Sequence, residues 1–298
     1  MDNKIVEIVE VSPRDGIQNE SHILKMDAKL LLVQHAIAAG ARRIEVTSFV
    51  NPKKVPQMAD AEEPRGQARY IGLALNRRGF DRVVAAKLDE VNFALVLSET
   101  FSRRNQGMST EDGIALWHDV ARAAEGQIGT GLTLAAAFGC PFEGEMPVER
   151  MMAALEKALE VMPAELTLAD TIGVAAPSDI LERVGAVKAR WPDLPIRLHL
   201  HNTRNTGFAN AWAGLQAGVR SFDASLGGVG GCPFAPRATG NISTEDLAYM
   251  LERAGYGTGW DIERAAEAAR WLETELGHEV PGMVMKAGTF PPAIQAFI

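Results

Sequence analysis

Short apolar, β-branched runs alternate with longer alanine-rich runs of helical period along most of the chain. Strands are predicted at 4–11 (KIVEIVEV), 42–48 (RRIEVTS), 69–75 (RYIGLAL), 91–97 (VNFALVL), 131–138 (GLTLAAAF), 165–170 (ELTLAD), 195–201 (PIRLHLH) and 219–226 (VRSFDASL). Helices are predicted at 26–40, 80–90, 110–127, 148–162, 177–191 and 210–218, and the stretch 243–276 reads as two more. The punctuation agrees: Gly40 and Gly218 end helices, Thr110 is placed to cap one, and Pro177 sits in a first turn, as helix starts prefer. Strand–helix alternation implies a parallel sheet. Eight rounds predict an α/β fold closed as a (β/α)8 TIM barrel; an open doubly wound sheet, the alternative, normally shows fewer rounds. No linker or low-complexity segment divides the chain, so 1–298 is expected to be one barrel domain, with its C-terminal helices starting near 243.

Composition changes this picture little but narrows the function. The 298 residues are 47% hydrophobic and 23% charged, with 30 Lys and Arg against 38 Asp and Glu, a net charge of -8. That balance argues against a broad nucleic-acid surface. No apolar run approaches the ~20 residues that span a bilayer, and the start MDNKIVEIVE has neither the basic residues nor the apolar stretch of a signal peptide. Two cysteines, Cys140 and Cys232, are too few for a disulfide framework, and a reducing, cytoplasmic setting is expected.

In a TIM barrel, residues at the C-terminal strand ends share one active-site mouth. The seventh strand places His199 and His201 there, on one face. Arg14 and Asp15 follow the first strand, where Pro-x-Asp-Gly is equally good turn chemistry. Two imidazoles and a carboxylate form a facial set suited to Mg2+, Mn2+ or Zn2+. Glu45 lies inside an apolar strand and needs a partner if buried, with Arg14 a candidate. Asp170 ends the sixth strand, where helix capping is the simpler role. After the eighth strand, four glycines in GGVGG precede Cys232, a loop suited to proton transfer or to phosphate binding. Asn241 precedes a helix start and offers an oxygen donor. Basic pairs in 51–54, 76–78 and 102–105 would place positive charge near the mouth, which suits a substrate with several phosphates; exposed basic loops without a ligand are as common.

Taken together, VEVSPRDGIQNE, IEVTSFVNPKKVPQMAD, GCPFEG, ADTIG, HLH and GGVGGCPFAPRATGNISTEDLAYML resemble the 3-hydroxy-3-methylglutaryl-CoA (HMG-CoA) lyase family of metal-dependent TIM-barrel lyases. The resemblance runs from about residue 4 to about 276. It implies a divalent cation, Mg2+ or Mn2+ ahead of Zn2+, held by Asp15, His199 and His201, with Asn241 a further ligand or near neighbour. It implies Arg14 over the reacting thioester, Cys232 as a proton carrier, and Glu45, Asp170 and His201 in the catalytic set. Gln18 and Glu245 match supporting residues. It also implies an acyl-CoA substrate and a homo-oligomer, a dimer or larger. The sequence departs from the family in two places. Asn202-Thr203-Arg204-Asn205-Thr206 replaces the usual Asp-Thr-Tyr-Gly-Gln, and Arg204 is placed to meet Asp15, Asp170 or a substrate carboxylate. ALNRR (74–78) replaces a Pro-Asn string. These departures bear on the acyl group more than on the reaction, and citramalyl-CoA or another branched 3-hydroxyacyl-CoA is an alternative substrate. A condensing transferase of the isopropylmalate or homocitrate synthase type is a further alternative, although those enzymes carry a long extra C-terminal region. A metal- or CoA-binding barrel without activity is the last.

Overall fold

The computed structural model describes residues 4–49, 56–58, 68–231 and 240–291. Eight parallel strands close into a barrel in sequence order: β1 (Glu7–Glu10), β2 (Arg43–Ser48), β3 (Arg69–Ala74), β4 (Glu90–Val96), β5 (Gly129–Ala135), β6 (Glu165–Asp170), β7 (Ile196–Leu200) and β8 (Ser221–Ala224). Closure pairs β1 with β8, Glu7 beside Ser221 through Glu10 beside Ala224. The expected TIM barrel is therefore formed. Outside it lie α1 (Met26–Ala38), α2 (Arg77–Ala85), α3 (Glu99–Asn105), α4 (Thr110–Ala124), α5 (Val148–Ala158), α6 (Pro177–Arg190), α7 (Gly207–Gln216), α8 (Thr244–Arg253), α9 (Ile262–Leu276) and α10 (Val284–Ala287). None of the described helices is long and apolar enough to cross a membrane.

The apolar core lies mainly between the sheet and the helices. Trp117 of α4 is fully buried, and its indole N–H donates to the Ala158 carbonyl at 2.9 Å. Burying such a ring contributes on the order of 2–3 kcal/mol. The barrel interior is different. Alternate residues of a strand share a face, and on the inward face stand Arg43 and Glu45, Glu90 and Asn92, Glu165 and Thr167, Arg197 and His199, and Asp223. Arg43 of β2 reaches Glu165 of β6 at 2.8 Å, a contact between strands that are not neighbours and so one made through the interior. Arg43 also pairs with Glu90 at 2.5 Å, and Arg197 lies 3.3 Å from Glu165. The floor of the barrel is thus filled by matched charges where many barrels stack Val, Ile and Leu.

Several boundaries differ from the sequence reading, each for a local reason. β1 ends at Glu10 because residues 12–16 wind into a π-turn. α2 begins earlier than expected because the Asn76 side chain accepts from the Gly79 N–H at 2.9 Å, an N-cap. α3 was not expected: ETFSRRN has no apolar period, and its start is fixed by Ser98 capping the Phe101 N–H. A short antiparallel hairpin, Gly139–Cys140 with Gly144–Glu145, follows β5, which stops at Ala135 before Ala136 in the left-handed region.

Candidate active site

The mouth is built from the turn after β1, the ends of β6 and β7, and the strand-like entry to α8. In the first, the Gly16 N–H donates to the Val11 carbonyl and the Ile17 N–H to Ser12, at 3.1 and 3.0 Å. This wide turn, of a type often found at functional sites, carries Arg14 and Asp15. The turn chemistry read from the sequence is therefore present at this position. Glu10, fully buried, ties the turn down by accepting from the Ser12 N–H at 2.8 Å, the Leu226 N–H at 3.1 Å and the Thr244 hydroxyl at 2.7 Å.

His199 and His201 converge with Asp15. The two Nε2 atoms are 3.2 Å apart, and Asp15 Oδ2 lies 3.7 Å from that of His199 and 3.9 Å from that of His201. One ligand atom from each residue lies within 4.8 Å of the others. Burial would raise the Asp15 pKa, but the Arg14 guanidinium and the two imidazoles hold it well below the usual carboxylate range. Behind His199, Nδ1 faces Asp223 Oδ2 at 3.1 Å, which leaves Nε2 turned toward Asp15. A carboxylate behind a histidine in this way orients metal-binding imidazoles generally.

Arg14 is clasped by two carboxylates. It bonds Asp15 at 2.6 Å and closely contacts Glu45 on the other side. Burial disfavours its charge, yet Glu45 and Asp15 raise its pKa above the ordinary arginine value, so it stays cationic. Glu45, 1% exposed, also accepts from Asn92 Nδ2 at 2.8 Å. The partner the sequence demanded for Glu45 is present.

The other predicted residues fall at different distances from this cluster. Asp170 accepts the N–H groups of Val174 and Ala175 at 2.9 and 3.0 Å, clamping the β6–α6 loop without capping α6, which starts after Ala176. Its burial raises its pKa, and both histidines face it electrostatically. Asn241 pairs with His201 as an isolated antiparallel bridge and donates through Nδ2 to Asp15 at 2.9 Å and to the Val229 carbonyl at 3.1 Å. It therefore presents its amide N–H groups to the triad side, and ligation through its oxygen requires the amide to turn over. Gly240 beside it has φ +109°, and a Cβ there would meet the carbonyl oxygens of Gly228 and Gly230. Arg204 donates to the Ile172 and Gly173 carbonyls at 3.0 and 2.8 Å, so it braces the neighbouring loop where a pairing with Asp15 or Asp170 was one expectation. Gln18 is half-buried just past the π-turn. Glu245 has no exposed surface: it lies behind the glycine turn, accepting the Gly227 N–H at 3.1 Å. It supports the glycine turn from within. Cys232 and residues 51–54 lie outside the described residues.

Sequence reasoning did not single out Asp223, Glu10 or Asn92. Each is a polar residue flanked by apolar ones in its strand, and Asp223 is paired in register with His199. The signal was available: a charged or amide side chain buried in a barrel strand needs a partner.

A parallel barrel with two histidines and an aspartate converging beside a clasped arginine defines a class, the barrel enzymes that work on a bound divalent cation. Residues 5–272 match the family model described as HMGL-like, and the chain belongs to that family. It is 41% identical to an (R)-citramalyl-CoA lyase of Chloroflexus aurantiacus over 97% of this chain and 96% of that one. It is 37% identical to the HMG-CoA lyase YngG of Bacillus subtilis, over 93% and 95%. A solved HMG-CoA lyase from Acinetobacter baumannii, in complex with coenzyme A and 3-methylmalate, superposes with a TM-score of 0.93 at 36% identity, covering 98% of each chain.

Proposed function

We propose that the protein is a divalent-metal-dependent carbon–carbon lyase that cleaves HMG-CoA or a closely related tertiary 3-hydroxyacyl-CoA, giving acetyl-CoA and a keto acid. The observation that carries this reading is the convergence of Asp15, His199 and His201 on one point beside Arg14. The residues fit a cation: two imidazole nitrogens that face each other at 3.2 Å, with a carboxylate oxygen beside them, are a poor hydrogen-bonded cluster and a good donor set for Mg2+ or Mn2+. Asp15, His199 and His201 hold the ion, with Asn241 beside it. A cation held there would supply Lewis acidity that lowers the pKa of the C3 hydroxyl.

The chain's own groups supply the rest. The C3 hydroxyl loses its proton, the C2–C3 bond breaks, and its electron pair becomes the enolate of the acetyl thioester. Arg14, held cationic by Glu45 and Asp15, stabilises the negative thioester oxygen in the manner of an oxyanion hole. His201 or Asp170 accepts the hydroxyl proton. Cys232, by the resemblance, protonates the enolate carbon. Gln18 and Arg204 border the substrate side, and Glu245 holds the loop from behind. A reducing cytoplasmic setting and a dimeric or larger assembly belong to the same reading.

The departures at Asn202 and Arg204, with the 41% identity to a citramalyl-CoA lyase, favour citramalyl-CoA as the second substrate to test. Its carboxylate is one methylene closer to the carbinol carbon than that of HMG-CoA. The deciding experiment incubates the enzyme and Mn2+ with a panel of tertiary 3-hydroxyacyl-CoA thioesters and identifies the products by mass. Acetyl-CoA with acetoacetate, or with pyruvate, is expected. Release of free CoA by condensation, or no turnover with any thioester, overturns the reading. In the same assay Cys232→Ala is expected to lose ~10²-fold or more in turnover with Mn2+ binding unchanged.

A further inference from the structure

Below the mouth, the barrel interior holds an ionic chain that the proposed chemistry does not use. Arg197 stands two residues before His199 on β7, so the two side chains share the inward face. Its side chain is 1% exposed. Nε donates to the Thr167 hydroxyl at 3.0 Å and lies 3.3 Å from Glu165 Oε2, and Nη1 lies 3.4 Å from Asp223 Oδ1. The other oxygen of Asp223, Oδ2, is the one that meets His199 Nδ1. Space for the guanidinium comes from β5: a Cβ on Gly131 would sit 3.7 Å from Arg197 Nη2 and 3.1 Å from Asn92 Oδ1.

A buried guanidinium persists only where carboxylates match it. Glu165 does not depend on Arg197 for this, because Arg43 already reaches it at 2.8 Å from the floor. Asp223 does: among the described residues, Arg197 is the one arginine or lysine in an ion pair with it. The Nη1–Oδ1 separation is longer than a good hydrogen bond, and both atoms are buried with no other hydrogen-bond partner. Arg197 thus acts on Asp223 chiefly through charge, in a place where water does not screen it.

We infer that Arg197 is a positioning residue of the cation site: it fixes the Asp223 carboxylate so that Oδ2 accepts from His199 Nδ1–H and the His199 Nε2 lone pair is turned toward Asp15 and His201. The inference rests on the cation site proposed above. Without Arg197 the carboxylate loses its nearest fixed counter-charge, Arg14 acting on it as well, and the acceptor that orients the His199 ring is no longer held in place. Residues behind metal-binding histidines typically affect affinity by ~10–100-fold.

The test measures Mn2+ affinity directly, by electron paramagnetic resonance of the free ion titrated into the full-length protein, independent of turnover. Arg197→Met is expected to raise the Kd by tenfold or more while circular dichroism shows an intact fold, and Arg197→Lys to recover part of the loss. Asp223→Asn is expected to show a loss of similar size, and the Arg197→Met/Asp223→Asn double variant to be no worse than Asp223→Asn alone. Should Arg197→Met not fold, Arg197→Lys with and without Asp223→Asn completes the same cycle. Wild-type affinity with Arg197→Met within twofold of it, or losses that multiply in the double variant, overturns this inference alone. A wild-type protein without Mn2+ affinity overturns the cation site as well.

Discussion

Glu45 and Arg14 show how a single side chain's chemistry depends on its partners. Arg14 keeps its position because Glu45 and Asp15 hold it from two sides, and Glu45 is itself anchored by Asn92. Breaking a buried ion pair from one side leaves the other charge uncompensated, at a cost of about 3 kcal/mol. Glu45→Gln leaves Arg14 with Asp15 as its remaining carboxylate, so it is expected to lower unfolding free energy by less than about 3 kcal/mol in a guanidinium titration and to reduce kcat at least tenfold. A variant with wild-type kcat would separate Arg14's placement from catalysis. Asp15, His199 and His201 were legible in the sequence because strand order alone puts them at one mouth, and residue type then suggests a cation. Asp223 and Arg197 were not, since a lone charged residue in an apolar run carries no sign of which partner it meets until the strands are closed. Arg204 shows the converse: its charge suggested an acidic partner, and two backbone carbonyls took it instead.

Between the residue and the barrel lies the supporting layer of turns and helices. The glycine turn at 226–228 rests on Glu245, at the first turn of α8, whose complete burial pushes its pKa up to about 8, with Asp246 and Glu10 adding in the same direction. The sign follows from linkage. Below the ordinary value of 4.5 both folded and unfolded states hold the proton, so the group is neutral to stability there. Between 4.5 and about 8 the unfolded chain ionises while the folded one does not, so stability falls as pH rises through that window. Glu245→Gln keeps the acceptor for Gly227 and removes the titration. Its stability relative to wild type, measured by denaturant unfolding at pH 5 and pH 8, is expected to improve toward pH 8 by on the order of 1–3 kcal/mol. An unchanged difference between the two pH values would mean that the carboxyl is ionised in place. At this scale, elements with a clear apolar period were readable from the sequence. α3 and the hairpin at Gly139–Glu145 were not, because both are fixed by capping and by contacts after β5, with no hydrophobic face of their own to announce them.

For the molecule as a whole, the barrel closes over an interior of paired charges, and the Asp15–His199–His201 cluster sits at the top of that column. A ligand that binds only the folded state stabilises it by RT ln(1 + [L]/Kd), about 2.7 kcal/mol at a hundredfold excess over Kd. Mn2+ at that excess is expected to raise the melting temperature by about 5 °C in differential scanning fluorimetry. Asp15→Asn is expected to abolish the rise, and a rise of equal size in that variant would place the stabilising ion elsewhere. The order of strands was legible from the alternation of patterns, whereas the ionic filling was not, because pairs such as Arg43 with Glu165 join strands far apart in sequence. The hydrogen bond from Asn241 to Asp15 spans 226 positions of the chain, and closure of the sheet joins β1 to β8. A nascent polypeptide emerging from the ribosome therefore carries Asp15 long before its companions exist, and no partly made chain has a reactive centre.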